Sequence, residues 1–130
     1  MEYTVLGRTG EKVSRISLGT WSYGGANMAG KHQPGGLAGR VEGDSRLALE
    51  SAFNSGINHW DTADVYGDGR SEQIIGSMWG KISRKDVFIA TKLGWDMGSH
   101  SHWYHPDHMR TNMERSLENL KTDCVDILYL

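Results

Sequence analysis

The sequence has 130 residues, of which 23% are charged and 38% hydrophobic, with a formal net charge of −2. That length suits one globular domain, the balance argues against disorder, and the lack of basic excess argues against a nucleic-acid partner. No apolar run approaches the roughly 20 residues that span a bilayer. The start Met1-Glu2-Tyr3-Thr4 has no signal-peptide character, and Cys124 is the only cysteine, so the expected setting is a reducing cytoplasm without an internal disulfide.

Residues 3–6 and 11–14 flank Gly7-Arg8-Thr9-Gly10, which predicts a hairpin over 1–14 with a glycine turn. Residues 16–19 predict a first buried strand. Gly24, Gly25, Gly30, Gly35, Gly36, Gly39 and Gly43 crowd the next stretch, which predicts one long loop over 22–43. Asp44 is placed to cap a helix with Leu47, Ala48, Ala52 and Phe53 on one face, and Gly56 to end it at C′. A second strand follows over 57–61. A second helix over 70–79 carries Ile74, Ile75 and Met78 on one side. A third strand covers 86–92. Pro106 opens a third helix whose apolar positions are Met109, Met113, Leu117 and Leu120, and a fourth strand covers 125–130.

Apolar strands alternating with helices predict a parallel sheet covered by helices. A barrel and an open doubly wound sheet both fit that order. The open sheet calls for a glycine-rich phosphate turn joining the first strand directly to a helix. After Gly19 the sequence reads Thr20-Trp21-Ser22-Tyr23-Gly24-Gly25, with no such turn and the next helix some twenty residues away. The barrel is the better reading.

In a parallel β/α barrel the strand C-termini share one face, where active sites form. Asp61 ends the second strand, Tyr66 follows it, and Lys92 ends the third. Side-chain alternation then turns His59 and Ile57 inward with Asp61, and Ala90 and Phe88 inward with Lys92. A free phenol, with a pKa near 10, exchanges protons poorly at pH 7, and a neighbouring ammonium favours its ionisation. An aspartate can keep that ammonium charged and oriented. The phenol can then serve as general acid towards a carbonyl oxygen while a cofactor delivers hydride to the carbon. Lys92 alone also fits a Schiff-base role, but Tyr66 at its offset from Asp61 favours proton transfer.

Other residues have plainer expectations. His59 reads as a core histidine with a hydrogen-bond partner. His100, His102, His105 and His108 form a tract for which no functional metal is expected. Trp95, Trp103 and Tyr104, with Trp21 and Tyr23, are placed to rim a substrate pocket. Cys124 reads as a small buried hydrophobe.

The run Gly56-Ile57-Asn58-His59-Trp60-Asp61-Thr62-Ala63-Asp64-Val65-Tyr66-Gly67, followed by Ser71-Glu72 and Gly76, resembles the aldo-keto reductase signature. Ile89-Ala90-Thr91-Lys92 resembles the family's catalytic-lysine strand. Leu18-Gly19-Thr20-Trp21 is similar to its first cofactor-side loop, and the stretch from His105-Pro106-Asp107-His108 to Leu120 to the helix before its fourth strand. The resemblance implies the N-terminal half of a (β/α)8 barrel over 1–130, with NADPH as cofactor and an aldehyde or ketone as substrate. It implies Tyr66 as proton donor, Asp61 and Lys92 as the residues that tune it, and Gly19, Thr20, Trp21 and Asp61 on the cofactor side. The family's fourth catalytic member is a histidine in a pattern like Leu-Tyr-Leu-x-His. The present residues reach Leu128-Tyr129-Leu130, short of it.

A whole barrel takes about 250 residues. Half of one is expected to expose strand edges and an apolar inner face, which favour pairing with another chain. Two readings therefore stand from the sequence: part of a carbonyl reductase, or a truncated, non-catalytic half-barrel fragment or interaction module, with self-association through the open edges expected.

Overall fold

A computed structural model describes residues 1–25, 42–95 and 98–130. Strands β1 (Tyr3–Val5) and β2 (Lys12–Ser14) form the antiparallel hairpin. β3 (Ser17–Gly19), β4 (His59–Asp61), β5 (Phe88–Lys92) and β6 (Ile127–Tyr129) form a second, wholly parallel sheet in the order β3-β4-β5-β6. The helices between them are α1 (Glu42–Asn54), α2 (Arg70–Gly76) and α3 (Pro106–Leu120). Each strand pairs with the next in sequence. A doubly wound sheet reverses its strand order at a switch point; this one does not.

One core explains the layering. Leu18, Trp60 and Ile89 lie in register on β3, β4 and β5 and face the helices. They meet Leu49 of α1, Ile74 and Ile75 of α2 and Leu120 of α3 in a single buried cluster, so all three helices cover the same face. Trp60 is fully buried, stacks on Trp79 and donates its indole N–H to the Ile57 carbonyl at 3.0 Å. The opposite face carries His59, Asp61, Phe88, Ala90, Lys92, Ile127 and Tyr129. This is the inner face of a barrel wall.

Several local expectations need correction. The glycine-rich loop falls mainly on 26–41, outside the described residues; its start is ordered as a 3-10 turn, Trp21–Gly24. The helix after it already runs at Glu42, so Asp44 lies inside the first turn and is no cap. Its buried face is Ser45, Leu49 and Ala52, flanked by Ala48 and Phe53, while Leu47 is exposed. Gly56 does end the helix. At φ +84° it lets its own N–H reach the Phe53 carbonyl (2.8 Å) and the Ile57 N–H reach that of Ala52 (2.9 Å), the paired closing bonds of a Schellman motif. Ile57 precedes β4 and packs into the helix-side core, so alternation does not carry it inward with His59. Asp86 belongs to the 3-10 turn Arg84–Asp86 rather than to a strand. Tyr23 is buried in the core and does not rim a pocket, whereas Cys124 is exposed.

The largest departure is in α3. Its buried stripe is His108, Asn112, Ser116 and Leu120, polar at three of four positions; Met109, Met113 and Leu117 are half-buried flanks. Apolar periodicity misplaced this face because α3 packs on two buried carboxylates. Glu72 accepts from the Thr91 hydroxyl (2.8 Å) and the Asn119 amide (3.1 Å). Asp64 lies 3.8 Å from Arg115. Burial pushes the Asp64 carboxyl up to about 6; the Glu72 charge adds to the rise, while Arg115, the Val65 amide and His108 oppose it. Burial likewise raises Glu72 above its ordinary value.

The hairpin is stitched beneath the sheet. Asn58 accepts from the Ser14 N–H (2.7 Å) and donates its amide to the Lys12 carbonyl (3.1 Å), and the Tyr3 hydroxyl donates to the Gly56 carbonyl (2.9 Å).

Two outcomes follow. Leu49→Ala removes a fully buried side chain from the shared core and should cost about 2–5 kcal/mol, read as a lower urea midpoint at unchanged slope. Folding favours the neutral Asp64, whose value rises from an ordinary 3.8. That contribution is complete below the ordinary value and fades as pH climbs through about 6. The stability of the wild type relative to Asp64→Asn should therefore fall between pH 4 and pH 7, by roughly 1–3 kcal/mol. Parallel pH curves for the two proteins would refute the assignment.

Candidate active site

The candidate site stands at the C-terminal ends of β4 and β5. Asp61 pairs with Ala90 across the two strands, and Lys92 lies two residues beyond Ala90 on the same face. That diagonal brings the Lys92 Nζ to 2.6 Å from Asp61 Oδ1. The same ammonium donates to the Thr62 carbonyl at 2.8 Å. Each side chain of the pair is about one-third exposed, at 32% for Lys92 and 33% for Asp61, so the pair faces the open side of the sheet.

Tyr66 arrives from the turn after β4. Its N–H donates to the Ala63 carbonyl and its own carbonyl accepts from the Ser71 N–H, both at 3.1 Å. The turn is unusual in its backbone. Gly67, Asp68 and Gly69 all take left-handed conformations, at φ +66°, +54° and +84°. A side chain on Gly67 would collide with the Gly24 carbonyl oxygen, and one on Gly24 would stand 2.6 Å from the Gly67 nitrogen. Two glycines thus let the 3-10 turn after β3 seat against the Tyr66 turn. The result sets the Lys92 ammonium 5.2 Å from the centroid of the Tyr66 ring, a cation–π contact. The three residues that sequence placed at one rim are together.

The cofactor-side expectations land on the neighbouring strand end. Gly19 pairs with Asp61, and nothing lies within 4 Å of where its side chain would stand, which leaves open space above β3. Trp21 is 46% exposed and Thr20 fully buried. Thr20 donates both its N–H and its hydroxyl to the Asp61 carbonyl, each at 3.0 Å. Its hydroxyl therefore supports the site from beneath.

His59 is half-buried on the inner face, two residues below Asp61, and meets Phe88 edge-on at 5.3 Å. Alternation placed it on this inner face with Asp61, and that is where it lies. Burial lowers its pKa, against the raising effect of the Asp61 charge. His100 stacks on His105 at 4.4 Å and lies 5.3 Å from His108. Among the described residues no group of three or more His, Cys, Asp or Glu side chains is arranged to hold a metal ion. Trp95, Trp103 and Tyr104 are exposed on the loop between β5 and α3.

Sequence reasoning missed the supports: the Thr62 carbonyl, and the buried hydroxyls of Thr20, Thr62 and Ser71 that hydrogen-bond to one another beneath the pair. Ser71 and Glu72 stood in the signature run without a role. Alternation offered the one available signal, since it turns Thr62 and Thr91 away from the face of Asp61 and Lys92 and into the protein.

Among the described residues no helix is long and apolar enough to cross a membrane. The family model "Aldo/keto reductase family" matches residues 15–130. An aldo-keto reductase of Bacillus subtilis, YhdN, is 35% identical over 130 residues, covering 98% of this chain and 37% of the relative. The versiconal hemiacetal acetate reductase of Aspergillus parasiticus is 42% identical over 94 residues, covering 71% of this chain and 25% of the relative. The crystal structure of the thermostable aldo-keto reductase Tm1743 in complex with the inhibitor epalrestat superposes with a TM-score of 0.78 at 32% identity, covering 98% of this chain and 42% of that one. The chain spans less than half the length of these relatives. Matched over nearly its whole length in sequence and fold, the chain belongs to the aldo/keto reductase family.

Proposed function

We propose that this chain supplies the proton-donating part of an NADPH-dependent reductase that converts aldehydes or ketones to alcohols. The observation that carries the reading is the Lys92 ammonium, held by Asp61 Oδ1 and the Thr62 carbonyl and set against the Tyr66 ring. In this role the Tyr66 hydroxyl gives its proton to the carbonyl oxygen. Lys92 stabilises the negative charge left on the phenol oxygen, and Asp61 keeps the ammonium in place. A nicotinamide cofactor, when bound, supplies the hydride that no side chain can. Gly19, Thr20, Trp21 and Asp61 fit its near side: Gly19 leaves room above β3, Trp21 offers an exposed ring, and Thr20 fixes the turn that carries them. A small carbonyl compound is the substrate class. A reducing cytoplasmic setting suits the exposed free thiol of Cys124.

Because the chain covers 37% of the reductase YhdN, we assign turnover to a complete barrel containing it. In that barrel Tyr66→Phe should lower carbonyl reduction about 10²- to 10⁴-fold while leaving NADPH affinity within a small factor. Undiminished turnover in the variant would remove Tyr66 from its role.

A further inference from the structure

We infer that Ser71 is a positioning residue: its hydroxyl is the middle link of a buried chain of hydroxyls that ties down Asp61 and Thr62, the two residues whose other oxygens grip the Lys92 ammonium. Thr20, Thr62 and Ser71 come from three separate elements and are each fully buried. The Thr62 hydroxyl donates to Ser71 Oγ at 3.1 Å. Ser71 Oγ donates to Thr20 Oγ1 at 2.8 Å, and Thr20 Oγ1 donates to the Asp61 carbonyl at 3.0 Å. A hydroxyl has one proton to give and room to accept. Ser71 Oγ also lies 3.0 Å from the Thr20 carbonyl, a second acceptor for its one proton; with that proton on the nearer Thr20 Oγ1, the direction Thr62 to Ser71 to Thr20 to Asp61 uses each proton once and ends on a carbonyl.

Its two ends are the residues that hold Lys92. Asp61 supplies the carboxylate at 2.6 Å, and Thr62 supplies the carbonyl at 2.8 Å. The chain therefore runs from the Thr62 side chain to the Asp61 main-chain carbonyl, through a helix residue and a loop residue, and restrains Thr62 from below. Without the Ser71 hydroxyl the Thr62 donor is left buried and unpaired, and the bridge opens at its centre. The Asp61 carbonyl keeps both Thr20 donors, but Thr62 loses its side-chain anchor, its carbonyl is freer to move, and the ammonium loses its aim at the Tyr66 ring. The Ser71 hydroxyl touches none of the three side chains that face the open side and acts only through Thr20 and Thr62; the Ser71 N–H separately donates to the Tyr66 carbonyl, a bond that Ser71→Ala retains. Its place as the second residue of α2 gives the rigid support that a loop hydroxyl would lack.

This deepens the reductase reading and rests on it for the effect on turnover, but the geometry is testable without turnover. In the ¹⁵N-labelled 130-residue chain, water exchange of the Lys92 ammonium protons can be followed by NMR. Ser71→Ala should accelerate that exchange by about tenfold, the scale of one hydrogen bond lost. Ile74→Val, which loosens the same helix by one methyl group and touches no hydroxyl, should leave it within about twofold. Equal exchange in wild type and Ser71→Ala, or equal acceleration in both variants, would overturn the proposal. If Ser71→Ala does not fold, Thr62→Val opens the chain one link earlier at nearly constant shape and is read in the same way. In a complete barrel, Ser71→Ala should lower kcat with KM nearly unchanged. Accelerated exchange in a barrel that is indifferent to Tyr66→Phe would uphold the positioning role while rejecting the reductase assignment.

Discussion

The arrangement of the site depends on one ammonium gripped by two oxygens of adjacent residues. Lys92 reaches across from β5 to the carboxylate of Asp61 and the carbonyl of Thr62. A part-exposed ion pair between long side chains is ordinarily worth little, because water screens the charges and entropy opposes a fixed geometry. Here the second contact is to backbone, and that backbone is anchored on both sides: the Thr62 N–H donates to the Ala90 carbonyl at 2.9 Å, and the Asp61 carbonyl takes two donors from Thr20. The pair derives its geometry from the sheet rather than from its own attraction. A charge placed in this way can act on a neighbouring phenol without having to stabilise the fold.

The helix side of the sheet shows the converse design. Thr91 neighbours Lys92 but points the other way, into Glu72, and Glu72 also takes Asn119 of α3. One strand thus carries a solvent-facing charge on one side and a buried polar tie on the next residue. α2 and α3 meet through that tie and through a close approach at Gly76, where a side chain would collide with the Asn119 carbonyl oxygen. Buried carboxylates are costly to ionise, and Asp64 and Glu72 both show that cost in raised values. The packing between these helices is in consequence sensitive to proton activity in a way that the apolar cluster around Trp60 is not.

Much of the architecture was legible because it follows periodicity. The alternation of apolar strands and helices, the C′ glycine at 56 and the proline at the start of α3 rest on local chemistry that tertiary contacts did not override. Asp61, Tyr66 and Lys92 were legible as a set because strand ends share a face in any parallel barrel. What failed had a common cause. Leu47, Cys124 and the methionines of α3 are apolar residues that the fold leaves wholly or partly exposed, whereas His108, Asn112 and Ser116 are polar residues that it buries. Composition alone ranks the first group inward and the second outward. Only the presence of a partnered carboxylate beneath α3 reverses that order, and that carboxylate lies 47 residues from its Asn119 partner in sequence. The hydroxyl chain escaped for the same reason: its links join positions 9 to 51 residues apart.

The seam under the sheet has its own consequence. Asn58 behaves as a substitute peptide unit, accepting one N–H and donating to one carbonyl of β2, so a single side chain continues the hydrogen-bonding pattern between two otherwise separate sheets. The hairpin contributes little to the helix-side cluster, since Tyr3–Val5 is exposed throughout and Val13 and Ser14 are its buried residues. Segments tied down by few polar bonds and little apolar contact open locally at a free energy well below that of global unfolding. The first fourteen residues are thus a cover on the underside whose attachment rests on the polar bonds of Asn58, Ser14 and Tyr3 rather than on the helix-side cluster.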